Sequence, residues 1–380
     1  MKVVQKKLLF YIAWTLYIFQ YILLEQSQFQ DIIQNDSVTR IVKILSIVCL
    51  LIAFFSMHKV KKKKFFVSAI LIGIFLLSFL TGESWTVIFW GLFSLAALDC
   101  VEYKSFLKYD LTVRSLIYAV VALGVFIGVL KNEAVYVYGW YKVSFGYTHY
   151  NMFGMNMGVV ISEMIALFRD DKKNKIKMYC IAILLCVWQC FWGVGRTGLY
   201  GSIVAIVISA MLEKESILAF VRKHNKIVSA LPVVLAVISY IIAYSYHPRN
   251  KWMLYLNAIS STRIAFSKLF LSNYKLSLFG NRLYINNDKS LGPYSALDMG
   301  YIRVGLEYGV LVLILLLATF YITQYYSIKQ KNIGLYIASV YFSITLLAAT
   351  SVMNIANNWP LIFTFQIILY AVYSMKRKRC

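Results

Sequence analysis

Apolar stretches follow one another from Leu8 to Met375, separated by short polar segments rich in Lys and Arg. A helix that crosses a bilayer needs roughly 20 predominantly apolar residues, within a range of about 17–25. By that measure spans are expected near 8–24, 41–57, 65–80, 84–98, 115–130, 152–168, 178–194, 198–212, 227–245, 303–322, 333–353 and 360–375. The pattern predicts an all-α polytopic membrane protein of about twelve transmembrane helices, forming one transmembrane domain over 1–380. One interval breaks the rhythm. Residues 246–302 are too long for a connecting turn and too polar for a span. Trp252, Leu254, Ile259, Ile264, Phe266, Leu269, Phe270 and Leu271 recur there at helical spacing, which predicts one or two short helices lying on the membrane.

Composition supports the pattern. Of the residues 60% are hydrophobic and 14% charged, where a soluble chain carries about 25% charged. One soluble core cannot hide that much apolar surface, so the excess is expected to face lipid. The first apolar run lacks a small-residue cleavage site and is expected to remain as a span. Six cysteines, Cys49, Cys100, Cys180, Cys186, Cys190 and Cys380, fall in expected spans or cytoplasmic segments, so no structural disulfide is expected.

Charge then orients the chain. Lys2, Lys6 and Lys7, the run Lys61 to Lys64, Arg169 with Lys172 to Lys177, Arg222 with Lys223 and Lys226, and the tail Lys376 to Arg379 all fall on one side. The segments 25–39 and 354–359 on the other side contain no Lys or Arg. The positive-inside rule makes both termini cytoplasmic and 246–302 a large extracytoplasmic loop. The net charge of +23 is thereby a membrane signature, and no nucleic-acid partner is expected.

Candidate chemistry collects on the outer face. Arg196 stands in a very short turn between Gly195 and Gly198. It is either an interfacial Arg or a fixed cation at the mouth of a membrane cavity. His149 and Asn151 end an aromatic segment holding Tyr136, Tyr138, Trp140, Tyr141, Phe145, Tyr147 and Tyr150. Those rings suit an interfacial belt and equally suit stacking on sugars. Gly154 and Gly158, four residues apart, suit a close helix contact. Arg249, Lys251, Arg263, Lys268, Lys275, Arg282 and Lys289 make the long loop basic, for anionic headgroups or for an anionic substrate. Asp298 precedes Arg303 and Glu307, which are spaced to pair on one helix face. Asp298 has no neighbour in sequence to pair with; it suits either a base or a helix N-terminal charge. Glu163 is expected to snorkel to the cytoplasmic interface. No phosphate-binding loop, dinucleotide fingerprint, metal motif or nucleophile elbow appears, which argues against a nucleotide-driven reaction.

Three motifs in order resemble the bacterial O-antigen and capsular polysaccharide polymerases, grouped with the O-antigen ligases. Thr148-His149-Tyr150-Asn151-Met152-Phe153-Gly154 resembles the family's stretch entering a mid-chain span, and Arg196-Thr197-Gly198 resembles its Arg-Thr-Gly turn. Leu278-Phe279-Gly280-Asn281, Leu297-Asp298-Met299-Gly300-Tyr301 and Gly305-Leu306-Glu307-Tyr308-Gly309 resemble the segment closing its large loop. The resemblance implies a glycosyltransferase of the bacterial cytoplasmic membrane, without metal or other cofactor. It would join polyprenyl-diphosphate-linked oligosaccharide units, donor and acceptor, on the outer face, for capsule, exopolysaccharide or O-antigen. A flippase and a chain-length regulator of the same pathway would be partners besides membrane lipid. Arg196, His149 and Asp298 are then the catalytic candidates, with Arg263, Arg282, Arg303, Asn151, Tyr147 and Trp140 binding substrate. Ligases resembling this family carry a His after the long loop where this chain has Asp298, which favours polymerase. A ligase-like transferase and a lipid-linked oligosaccharide flippase stand as alternatives.

Overall fold

The computed structural model describes residues 3–33, 36–55, 62–98, 100–137, 140–192, 195–284 and 297–377; side chains at 3, 62–63, 137, 140 and 373–377 are outside the description. The structure is 77% helical. Every segment expected to span carries a helix. These are α1 (Val3–Ile18), α2 (Asp36–Phe55), α3 (Lys62–Gly82), α4 (Trp85–Ala97), α5 (Tyr103–Phe126), α6 (Tyr150–Phe168), α7 (Lys175–Phe191), α8 (Arg196–Met211), α9 (Leu231–Ser245), α10 (Val310–Lys329), α11 (Ile333–Thr345) and α12 (Thr364–Arg377). Among the described residues, six stretches are long and apolar enough to cross a bilayer: Val4–Gln26, Asp36–Phe55, Lys64–Gly82, Tyr103–Phe126, Tyr150–Phe168 and Val310–Lys329. Trp85–Ala97, Arg196–Met211, Leu231–Ser245, Ile333–Thr345 and Trp359–Val372 are apolar but shorter.

The chain divides into two compact units. Unit one comprises Met1–Val60, Leu92–Phe220 and Gln330–Tyr341; unit two comprises Lys61–Gly91, Val221–Lys329 and Phe342–Cys380. In unit one α1 runs along α2. Trp14 of α1 meets Phe93 and Phe106 edge-on, at ring-centre distances of 5.2 and 5.1 Å. Helix α6 is buried without interruption from Phe153 to Ala166. It packs on α8, and the reason is the glycines. A Cβ on Gly198 would overlap the backbone carbonyl of Gly154, so only glycine lets these backbones touch.

Helix α5 corrects the sequence reading. The span expected near 115–130 leaves out Lys104, Lys108, Asp110 and Arg114. The helix instead begins at Tyr103, and Asp110 and Arg114 lie wholly buried within it. Glu163 is corrected with them. It does not snorkel; it is wholly buried on α6, 3.2 Å from Arg114 Nε.

Unit two holds the long loop. Two helices form there, Lys251–Ile259 and Arg263–Asn273. The second anchors Ile264, Phe270 and Leu271 in a core shared with Ala243 of α9 and with Leu297, Met299, Ile302 and Leu306. The first keeps Trp252, Leu254, Tyr255 and Ile259 exposed, an apolar face that none of the described residues covers. The expected span at 303 starts later, at Val310. A short helix, Gly300–Arg303, passes into a π-turn over Val304–Tyr308, and Gly309 at φ +92° then redirects the chain. The loop strand 277–281 locks onto that break. Asn281 N donates to Leu306 O at 2.9 Å, and Val310 N to Ser277 O at 2.9 Å.

Gly280 sits in that lock at φ +95°, and a Cβ there would overlap the carbonyl oxygen of Glu307. Gly280→Ala is expected to destabilise the protein by about 2 kcal/mol or more, from left-handed strain plus a backbone clash. Gly73 in α3 has no atom within 4 Å of its Cβ position. Gly73→Ala is expected to raise stability by about 0.5–1 kcal/mol through helix propensity. Thermal unfolding of the purified protein in detergent compares the two; equal midpoints would contradict the lock.

Candidate functional site

The richest chemistry in unit one gathers where α6 and α8 begin. The approach to α6 is a β-hairpin, β1 (Ala134–Val137) with β2 (Trp140–Val143), rich in the branched and aromatic residues that favour a pleated surface. Its register sets Val135 opposite Lys142 and Tyr136 opposite Tyr141. Beyond it the chain turns through Phe145 and Gly146, both at positive φ. It is then pinned to the end of the first helical stretch: Gln28 N donates to Gly146 O at 2.8 Å, and Thr148 N donates to Gln26 O at 2.8 Å.

Helix α6 starts with an uncommon cap. His149 is its N-cap, and His149 Nδ1 accepts from Asn151 N at 3.1 Å. A neutral imidazole that accepts at Nδ1 carries its proton on Nε2. In this arrangement His149 therefore presents a donor. To act as a base it would first have to release the cap. The imidazole stacks on Tyr150 at a ring distance of 4.0 Å, and Lys142 Nζ lies 4.5 Å from the centre of the same ring. Such a cation over an aromatic face is attracted by its quadrupole.

Helix α8 starts beside this group. Gly195, its N-cap, lies against Asn151: a Cβ on Gly195 would stand 2.7 Å from Asn151 Cα and 2.8 Å from Asn151 Oδ1. Arg196 follows as the exposed first residue of α8. Burial lowers the Lys142 pKa below its ordinary value, and the nearby Arg196 guanidinium lowers it further. Two like charges thus stand within electrostatic reach of each other, beside two helix starts whose N–H groups also favour an anion.

Four of the sequence candidates meet here or nearby. Arg196, His149 and Asn151 are brought together. Tyr147 sits just beneath them, 2% exposed, so its ring is packed away. Burial holds its phenol well above the usual tyrosine pKa, an effect that the neighbouring Asn156 reduces. Trp140 belongs to β2, but its side chain lies outside the described residues, as do Tyr138, Lys289 and Asp288. Lys142 was overlooked because a lysine inside an aromatic strand has no signature until the fold sets it beside Arg196.

The remaining candidates, Asp298, Arg263, Arg282 and Arg303, belong to unit two, and each stands in an ion pair. Arg263 Nε pairs with Asp298 Oδ2 at 3.3 Å, a partner 35 residues away that sequence proximity did not offer. Arg282 pairs with Glu83 at 2.8 Å, both half exposed. Arg303 Nε meets Glu307 Oε2 at 2.5 Å, as the four-residue spacing predicted. No group of three or more His, Cys, Asp or Glu is arranged to hold a metal ion among the described residues.

The sequence reading also missed a buried polar set in unit one. Trp14 Nε1 donates to Asp110 Oδ1 at 2.9 Å, and Asn156 Nδ2 donates to Gln26 Oε1 at 3.0 Å. The available signal was the four-residue spacing of Asp110 and Arg114, which lies outside the span expected near 115–130.

Lys142 offers a direct test of the site. It is expected to lose its proton at lower pH than ordinary lysines, because both burial and Arg196 disfavour its charged form. Competitive acylation across pH, read by mass spectrometry, should place its midpoint below those of exposed lysines. Arg196→Gln should move the midpoint part of the way back up, since burial remains. An unchanged midpoint in that variant would disprove the coupling. Comparison of the chain with protein-family models, curated proteins and solved structures returns no match.

Proposed function

We propose that this chain is a polysaccharide polymerase of a bacterial cytoplasmic membrane, with about twelve spans, both termini cytoplasmic, and the α6–α8 site on the outer face. The donor and acceptor are polyprenyl-diphosphate-linked oligosaccharides. The reading rests on the motif resemblance, and one observation carries it furthest: Lys142 and Arg196 stand together at two helix N-termini, where a diphosphate would be welcome. In the reaction an acceptor hydroxyl oxygen bonds to the anomeric carbon of the donor glycan. The bond from that carbon to the lipid diphosphate breaks, and the diphosphate leaves with the electron pair. Negative charge gathers on the leaving oxygen, so cations already in place lower the barrier. His149, presenting Nε2–H, suits a donor to the same anion. The hydroxyl proton goes to a phosphate oxygen of the departing diphosphate; Asp298, the base candidate from the sequence, belongs to unit two and pairs with Arg263. Tyr150 offers a ring on the substrate side, and Asn151 holds His149 in place through the cap.

A flippase for the same lipid-linked unit is the second reading. Charges deep in the helices favour it, and Asp110, Arg114 and Glu163 are such charges. A ligase-like transferase would share the cationic site and differ in acceptor.

Deletion of the gene distinguishes them. A polymerase null is expected to expose a single lipid-linked repeat unit on the outer face. A unit trapped on the cytoplasmic side would refute the polymerase and favour the flippase. Arg196→Ala is expected to abolish chain growth at normal protein level, and Arg196→Lys to restore it only in part, because Lys lacks the planar fork. Lys142→Gln should lower chain growth by roughly tenfold or more. Full chain growth in Arg196→Ala would end the proposed role of that residue.

A further inference from the structure

The buried charges of unit one do not balance as an ion pair. Asp110 and Arg114 are one turn apart on α5, with Asp110 Oδ2 3.0 Å from Arg114 Nε. Glu163 of α6 brings its Oε1 to 3.2 Å from the same nitrogen. All three side chains are 0% exposed. Two carboxyls converging on one guanidinium nitrogen are held close, and Asp110 Oδ2 and both Glu163 oxygens make no hydrogen bond among the described residues. With both ionised the set carries two negative charges against one positive. An uncompensated charge wholly removed from water is among the costliest things a protein can hold. Two bare carboxylates in contact would also repel, whereas a carboxylic acid and a carboxylate attract through the shared hydrogen.

We propose that Asp110, Arg114 and Glu163 form a proton-binding site, in which one proton shared between the two carboxyls makes the buried triad neutral. The inference is independent of the polymerase reading. Among the described residues, few charged and titratable groups are seen to act on the triad. On α5 they are Asp110, Arg114 and Tyr118, the last in contact with Arg114. From the segment before α6 comes Tyr147, which acts on Tyr118 and Arg114. From α11 comes Tyr341, which acts on Tyr118 and faces Cys186 of α7. From α1 comes Trp14, whose indole N–H donates to the second oxygen of Asp110. Tyrosine phenols and a buried thiol are neutral at physiological pH, so none of them supplies the missing positive charge. The indole bond matters too. It saturates Asp110 Oδ1 with a donor, which suits Asp110 as the ionised partner and Glu163 as the acid.

The neighbourhood links this site to the candidate site above. Tyr147 touches Asn156, Asn156 holds Gln26, and Gln26 O accepts from Thr148, the residue before His149. Every member of this chain belongs to unit one.

The test uses the full-length protein in detergent at about pH 8, some four units above an ordinary carboxylate, where only a retained proton leaves a carboxylic acid. Infrared difference spectra of wild type are expected to show the carbonyl stretch of one protonated carboxyl. Glu163→Gln and Asp110→Asn each leave one carboxylate against Arg114, so each should fold to the wild-type level and lose that band. The double variant strands Arg114 and should lose folded protein. A wild-type spectrum without the band overturns the proposal. So does a band that persists in both single variants, or failure of both to fold, or a double variant as stable as wild type.

Discussion

A charge held inside an apolar helix bundle has to be balanced where it stands, and unit one is organised around that requirement. Arg114 is buried against Asp110 and Glu163, which reach the same nitrogen. Removing both carboxyls would strand the guanidinium, and leaving a buried charge unpaired typically costs about 3–5 kcal/mol. The requirement fixes how α5 lies on α6, and the Trp14 indole draws α1 to the same point. Once α6 is set, its start is set as well. Gln26 grips Asn156 from within, and its backbone carbonyl holds Thr148 at the threshold of the helix.

From that frame the candidate site follows by close contact. Gly154, Gly195 and Gly198 remove the side chains that would separate α6 from α8, so Arg196 emerges next to Asn151. The hairpin delivers Lys142 to the Tyr150 ring, where Arg196 acts on it. Neither cation has its position from local sequence alone. Unit two uses the same device for another purpose: Gly280 and Gly309 let the loop strand press against the break before α10, and Asn281 ties it there.

How much of this could be read in the sequence depends on the range of the interaction. Helix positions were legible, because apolar runs of the right length declare themselves; all twelve expected segments are helical. The Arg303–Glu307 pair was legible because four-residue spacing on a helix is local. The Arg263–Asp298 pair was not, since its members come from different elements. Asp110 and Arg114 fall outside the span expected near 115–130 although a carboxylate one turn from a guanidinium is compatible with a helix interior. The break that Gly309 makes between the helical turn Val304–Tyr308 and Val310 gives no signal in an apolar run. The role of Lys142 needed a contact with an element more than fifty residues away, which periodicity cannot supply.

The N-cap role of His149 changes what this surface can do. With Nδ1 accepting from Asn151 N, the neutral ring carries its proton on Nε2 and is a donor there. Lys142, Arg196 and the first-turn amides of α6 and α8 also offer protons and positive charge, while Asn151 Oδ1, an acceptor, is turned against Gly195. A surface dominated by donors holds an anion well and removes a proton poorly. In the proposed transfer it therefore suits the departing diphosphate and not the attacking hydroxyl. The proton of the acceptor has to go to another oxygen. A phosphate oxygen of the leaving group, made more basic as the bond breaks, is chemically sufficient for that.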